Sequence, residues 1–217
     1  MTTDDKAICL DILKRGLKSS FYYYQSGQEA RSYINIDEAI LGDDDTWKIR
    51  PQHEVVRQLG EQFKKKILKI EKERPFDRIA FIDKAGQGPV GTIALSNLLI
   101  LLVQKEAIFV RPFRNTMRAS IRGRSIQDKE KILIVSDVAT TGQTILKAAE
   151  KTWNCGAIVA GALVYFDHER GAKENLISKD IPLFSLITRS EALERSKGDI
   201  DLTDQKFEVI HEFGGVI

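Results

Sequence analysis

One short stretch of the chain concentrates a carboxylate, hydroxyls and a glycine: IVSDVATTGQT, residues 134–144. An apolar run ends in Ser136 and Asp137, and Thr140, Thr141, Gly142, Gln143 and Thr144 follow. A buried strand that turns into a helix at this point leaves unpaired backbone N–H groups at the helix start, together with the positive end of the helix dipole. Both suit a phosphate. Threonine hydroxyls add donors without charge, and Gly142 lets the backbone come close to a ligand. A plain cap is the other reading, because Thr140 and Gln143 have capping-box spacing. Asp137 needs a different partner. A carboxylate repels phosphate, whereas it accepts strong hydrogen bonds from sugar hydroxyls. Acid and hydroxyl-rich loop together read as a ribose-5-phosphate pocket. The G-x-x-x-x-G-K-[ST] pattern of a P-loop is absent.

Two further stretches have the composition for anion chemistry. In DKAGQGP (83–89), the glycines allow backbone N–H groups to face an anion and Lys84 adds positive charge. The same glycines, Gly86 and Gly88, would also serve an ordinary strand-to-helix turn. RPFRNTMRASIRGR (111–124) carries Arg111, Arg114, Arg118, Arg122 and Arg124. It reads as a basic flap over an anionic ligand or as a solvated hairpin. RNA binding through these arginines is a weaker reading. GDDD (42–45) reads as a solvated loop or helix start, and His53 and His211 read as structural or surface residues.

These residues need elements to position them. Residues 6–18 are expected to form a helix, followed by strand-like FYYYQ (21–25) and RSYINI (31–36) around a turn at 26–29. Val55, Leu59, Phe63, Ile67 and Ile70 recur at helical spacing over 52–73. From there apolar runs alternate with helices. RIAFI (78–82), AIFV (107–110), KILIV (131–135), AIVAGALVYF (157–166) and IPLFSLI (181–187) are the strands. The helices run to Val103, over 143–153, near 171–178, and from a Thr188–Glu191 capping-box pair. Near-continuous apolar strands between helices predict an α/β fold: an open, mainly parallel sheet with helices on both faces. A small N-terminal helix-hairpin appendage over 1–50 is expected to precede a core domain over 51–217. Ligands of such sheets bind beyond the carboxyl ends of the strands, where the loops at 83–89, 136–142 and 167–171 fall.

The composition sets bounds. The chain has 217 residues, 42% apolar and 29% charged, with a net charge of +2. This is an ordinary globular balance, too weakly basic to imply nucleic acid. Cys9 and Cys155 form no disulfide framework and no metal pattern. The stretch IALSNLLILLV (93–103) is too short to span a bilayer, and MTTDDKAICL lacks the apolar core of a signal peptide. A cytoplasmic protein without a membrane partner is expected.

ILIVSDVATTGQT resembles the phosphoribosyl-diphosphate (PRPP) signature of the type I phosphoribosyltransferases, an apolar strand, two acids, two spacers and Thr/Ser-Thr-Gly. YYQSGQEARSYINID (23–37), FVRP (109–112), CGAIVAGALVYFDHERGAKENL (155–176) and IPLFSLITRSEAL (181–193) resemble one branch of that family, the orotate phosphoribosyltransferases. The likeness covers roughly residues 8–195. It implies transfer of ribose-5-phosphate from PRPP to a pyrimidine-like base with release of pyrophosphate, Mg²⁺ held mainly by PRPP, no protein metal site, and a homodimer sharing its flap. A PRPP-sensing regulator without turnover is the alternative. By the resemblance, Asp137, Arg111 and Lys84 are the catalytic residues. Ser136, Asp137, Ala139, Thr140, Thr141, Gly142, Gln143 and Thr144 hold ribose and 5′-phosphate. Asp83, Lys84, Ala85, Gly86, Arg111 and Arg114 take the pyrophosphate, and Gln25, Tyr33 and His168 face the base. Several positions depart from the family pattern. Gln25 stands for a lysine, and Ser136 for the first acid. Pro112, Asn115 and Met117 stand for flap lysines and a histidine. His168 replaces an arginine, and a partly charged imidazole is expected there.

Overall fold

The computed structural model describes residues 3–23, 29–34, 52–83, 90–112 and 121–196. Helix α1 (Thr3–Gly16) leads into a hairpin of β1 (Leu17–Tyr23) and antiparallel β2 (Glu29–Ile34). Then come α2 (Gln52–Glu73), β3 (Arg78–Ile82), α3 (Val90–Val103), β4 (Glu106–Val110) and β5 (Ile121–Arg122). The chain continues through β6 (Lys131–Ala139), α4 (Gln143–Trp153), β7 (Ile158–Asp167), α5 (Ala172–Ile177), β8 (Leu183–Thr188) and α6 (Arg189–Ser196). The six-stranded sheet runs β5-β4-β3-β6-β7-β8, parallel throughout except for the β5 edge. The expected open α/β sheet is the one found.

Alternation along the strands divides the core in two. Ile79 and Phe81 of β3, with Leu133 and Val135 of β6, join a cluster with Cys9, Leu59, Phe63, Ile67 and Leu99 of the α1–α3 layer. Ala80, Ile82, Ile132 and Ile134 face the other way, onto Ile145, Ala148 and Ala149 of α4 and Leu176 of α5. Both faces of the strands are therefore apolar, as a parallel sheet between two helical layers requires. Burying one such aliphatic or aromatic side chain contributes about 1.5–3 kcal/mol. On α2, Gly60 lets α3 approach: a Cβ there would lie 2.5 Å from a Leu98 methyl.

Helix α1 is tied down by polar bonds as well as by its buried Cys9, Ile12 and Leu13. Lys6 donates to the Leu186 carbonyl and to Glu191, both at 2.6 Å, and Asp5 pairs with Lys65 at 2.5 Å. The fully buried Tyr165 hydroxyl donates to the Cys9 carbonyl. Burial pushes the Cys9 thiol up to about 12, which leaves it a packing residue.

Three boundaries differ from the sequence expectation. The first helix ends at Gly16, and the β1 strand starts directly after it. A two-residue β5 closes the sheet edge inside the arginine-rich segment. Most important, β6 continues four residues past Val135, because β7 is long enough to pair it: Ser136 opposes Val164, and Ala139 opposes Asp167. Asp137 thus projects from a hydrogen-bonded strand, not from a loop. The acidic segment 42–45 and residues 205–217, read as a strand and tail, lie outside the described residues.

Candidate active site

The turn from β6 into α4 is built around Gly142. It is the N-cap of α4 in the left-handed region (φ 78°, ψ 0°), and no side chain caps the helix. The Thr140–Gln143 capping box is therefore not formed, and no side chain takes the first-turn N–H groups. Two constraints keep a glycine at 142: its positive φ, and α5, whose Ala172 carbonyl would sit 3.3 Å from any Cβ. Asn175 of α5 donates to the Thr141 carbonyl at 2.9 Å, pinning the loop from the side. Thr140, Thr141 and Thr144 are half-buried, Gln143 is exposed and Ala139 is buried. The result is a rigid cradle of N–H groups and hydroxyls at the positive end of a helix.

Asp137 lies just before this cradle. Its Oδ1 accepts the Val138 N–H at 2.8 Å and the Ser136 hydroxyl at 3.0 Å. The carboxylate is half-buried, and Ser136 is only 8% exposed. Beneath them is a cavity of ≈ 20 Å³, about enough for one water.

On the other side of β6, Asp83 follows β3, its direct neighbour in the sheet, and Arg111 follows β4, one strand further out. The Asp83 N–H donates to the Val110 carbonyl at 2.8 Å, and Arg111 Nε donates to Asp83 Oδ2 at 2.5 Å. These two candidate pyrophosphate residues thus bind one another. Asp83 offsets the guanidinium charge while fixing its direction. Lys84, Ala85, Gly86, Arg114 and Gln25 lie outside the described residues, and Tyr33 sits on β2 opposite Lys18.

The third loop joins the first through the backbone, with the His168 N–H donating to the Ala139 carbonyl at 2.9 Å. Here the expectation of a partly charged histidine is overturned. His168 is 4% exposed and packs edge-on against Phe166 at 4.7 Å. Burial first, then the nearby Arg170 and Arg189, bring its pKa down to about 3, so the imidazole is neutral. Positive charge at this corner comes instead from those two arginines. Sequence reasoning passed over both, although Arg170 stands only two residues beyond the position where the resembled motif has its arginine. Glu169 organises the corner: its Oε2 accepts both the N–H and the hydroxyl of Ser190 at 2.6 Å, tying this loop to the start of α6. There the predicted capping box forms, with Thr188 N–H to Glu191 Oε2 at 2.9 Å and Glu191 N–H to Thr188 Oγ1 at 3.2 Å.

A parallel sheet with a phosphate-type loop after β6 and a hairpin before the core has the type I phosphoribosyltransferase fold. The solved orotate phosphoribosyltransferase of Aeropyrum pernix superposes with a TM-score of 0.62 at 22% identity, covering 87% of this chain and 99% of that one. Among curated proteins, the orotate phosphoribosyltransferase of Pyrococcus horikoshii is 28% identical over 193 residues, 88% of this chain and 94% of its own. That of Natronomonas pharaonis is 32% identical over 121 residues, 52% of this chain and 69% of its own. No family model matches the chain. By these relatives the chain belongs to the orotate phosphoribosyltransferase family.

Proposed function

We propose that the protein transfers ribose-5-phosphate from PRPP to the ring nitrogen of a pyrimidine-type base, with orotate the first candidate. The observation that carries this is the uncapped α4 N-terminus beside a strand-held Asp137. Phosphate donors and a sugar acid stand there side by side. In the reaction the C1–O bond to the diphosphate breaks, a C1–N bond to the base forms, and the base loses its proton. Little covalent work falls to the protein, so positioning and charge stabilisation dominate.

In this reading Ala139, Thr140, Thr141, Gly142, Gln143 and Thr144 hold the 5′-phosphate, and Asp137 accepts from the ribose hydroxyls. Arg111, aimed by Asp83, faces the departing diphosphate, joined by Lys84, Ala85, Gly86 and Arg114. Gln25, Tyr33 and His168 remain on the base side. His168 contributes there as a neutral ring, and Arg170 and Arg189 supply the positive charge. The hairpin of residues 17–34 is assigned to the same side of the site, as part of the N-terminal unit over 1–50. Mg²⁺ fits as an ion carried by PRPP. It takes oxygen ligands, substrate phosphates among them, and keeps several of its own waters, so this reading asks for no ligand set from the chain. When bound, the ion neutralises diphosphate charge. A homodimer in the cytoplasm completes the proposal. Among the described residues no helix is long and apolar enough to cross a membrane.

The test is direct: incubate the protein with PRPP, Mg²⁺ and a panel of bases including orotate and uracil, and measure pyrophosphate release. Base-dependent release is expected. PRPP binding without release from any base would contradict transfer and favour a sensing role.

A further inference from the structure

Ser136 is the residue whose place in the reaction is least obvious. It stands on β6 where the chain's apolar run ends, paired with Val164 across the sheet and only 8% exposed. A serine so covered has few ways to reach a ligand, but it reaches its neighbour. Its hydroxyl donates to Asp137 Oδ1 at 3.0 Å, and the Val138 N–H donates to the same oxygen at 2.8 Å. Two donors converging on one carboxylate oxygen restrict the side chain to one rotamer. Bonds of this kind are stronger when the acceptor is a carboxylate.

The surroundings leave the side chain room to turn another way. The small cavity under Ser136 and Asp137 is walled by Phe63, Phe81, Leu95, Val135 and Tyr165, with the buried Ser96 as a polar member of the lining. We propose that Ser136 is a positioning residue for Asp137: its hydroxyl holds the carboxylate directed at the sugar, and is not itself a ribose ligand. The inference rests on the reading of Asp137 as the ribose acid. It also gives the serine a physical purpose at a position where the resembled family carries an acid.

The experiment is PRPP titration by calorimetry, with wild type, Ser136→Ala, Ser136→Thr, Asp137→Asn and the double variant Ser136→Ala/Asp137→Asn. Thermal melting of each serves as a check on folding. Losing one charge-assisted bond is expected to weaken binding by Ser136→Ala about ten-fold near neutral pH. Ser136→Thr keeps the hydroxyl and should bind like wild type. In the Asp137→Asn background, Ser136→Ala should add no further loss. Wild-type affinity in Ser136→Ala, or a full additional loss in the double variant, would overturn the inference and leave the site reading intact. Failure of wild type to bind PRPP, or unchanged binding by Asp137→Asn, would overturn the site reading and the inference together.

Discussion

The two ends of the central sheet handle charge in opposite ways. At the amino end, Arg78 is 1% exposed, and its guanidinium is enclosed by the protein. Nη1 donates to the Arg124 carbonyl at 2.9 Å. Nη2 lies 2.8 Å from Glu130 and 3.6 Å from Glu106, close enough for ion pairing although it makes no hydrogen bond. Arg124 completes the group against Glu106 at 2.9 Å. At the carboxyl end, Asp137, Asp83 with Arg111, and Glu169 are each oriented by a neighbour, yet the first three remain part-exposed and Glu169 is exposed. The first arrangement uses charge to close the bottom of the sheet and fasten the segment after β5. The second fixes directions while leaving charge available to something outside the chain. An arginine or an aspartate in this fold therefore means different things according to the end of the strand on which it lies.

The largest effect should come from breaking the closed end. Replacing Arg78 by leucine strands the Glu130 carboxylate, 8% exposed, without its closest cation. A stability loss of about 3–5 kcal/mol is expected, read as a fall in Tm, with PRPP affinity of the folded protein unchanged. A change in affinity at temperatures where the variant is folded would blur the division between the ends. The converse is Asp137→Asn, which removes charge at the open end with little change of shape. It should lower kcat/KM for PRPP by about 100-fold, roughly 2.7 kcal/mol, and leave Tm nearly as it was.

A smaller effect separates buried from working charge at the open end itself. His168 titrates near 3 in the folded protein against an ordinary 6.5, so between those values the unfolded chain binds a proton that the folded chain does not. Stability is therefore fully present above pH 6.5 and is lost progressively as pH falls toward 3. Between about pH 7 and pH 5 the expected loss from this residue is roughly 2 kcal/mol. Denaturant unfolding across that range should show the slope, and His168→Phe should flatten it. An unaltered slope in the variant would mean that the imidazole is charged in the fold and free to meet an acidic base.

How much of this was legible from the sequence depended on whether the signal was local. The bounds of α2, β3 and α4 were readable because period and punctuation lie within each segment: Val55 to Ile70 at helical spacing, RIAFI between charged residues, Gly142 before Gln143. The Thr188–Glu191 box was readable for the same reason. The extension of β6 through Asp137 was not, since polar Ser136 and Asp137 look like a strand's end until β7 supplies partners across the sheet. The two-residue β5 is too short for any pattern. The neutrality of His168 depends on burial by Phe166 and on two arginines from different elements. The hydroxyl of Ser136 was visible as a type. Its direction, toward Asp137, was not. The chemistry of the site was thus legible as an inventory, and the tertiary fold decided which members serve one another.

The division between the ends makes one direct prediction about location. Backbone hydrogen exchange should be followed with and without saturating PRPP and Mg²⁺. Protection is expected at the amides of residues 137–145, above all at the uncapped first turn of α4, with no change over 121–131 at the closed end. PRPP binding that leaves 137–145 unprotected, or protects only the Arg78–Arg124 end, would contradict the assignment of the ligand site to the carboxyl ends of the strands.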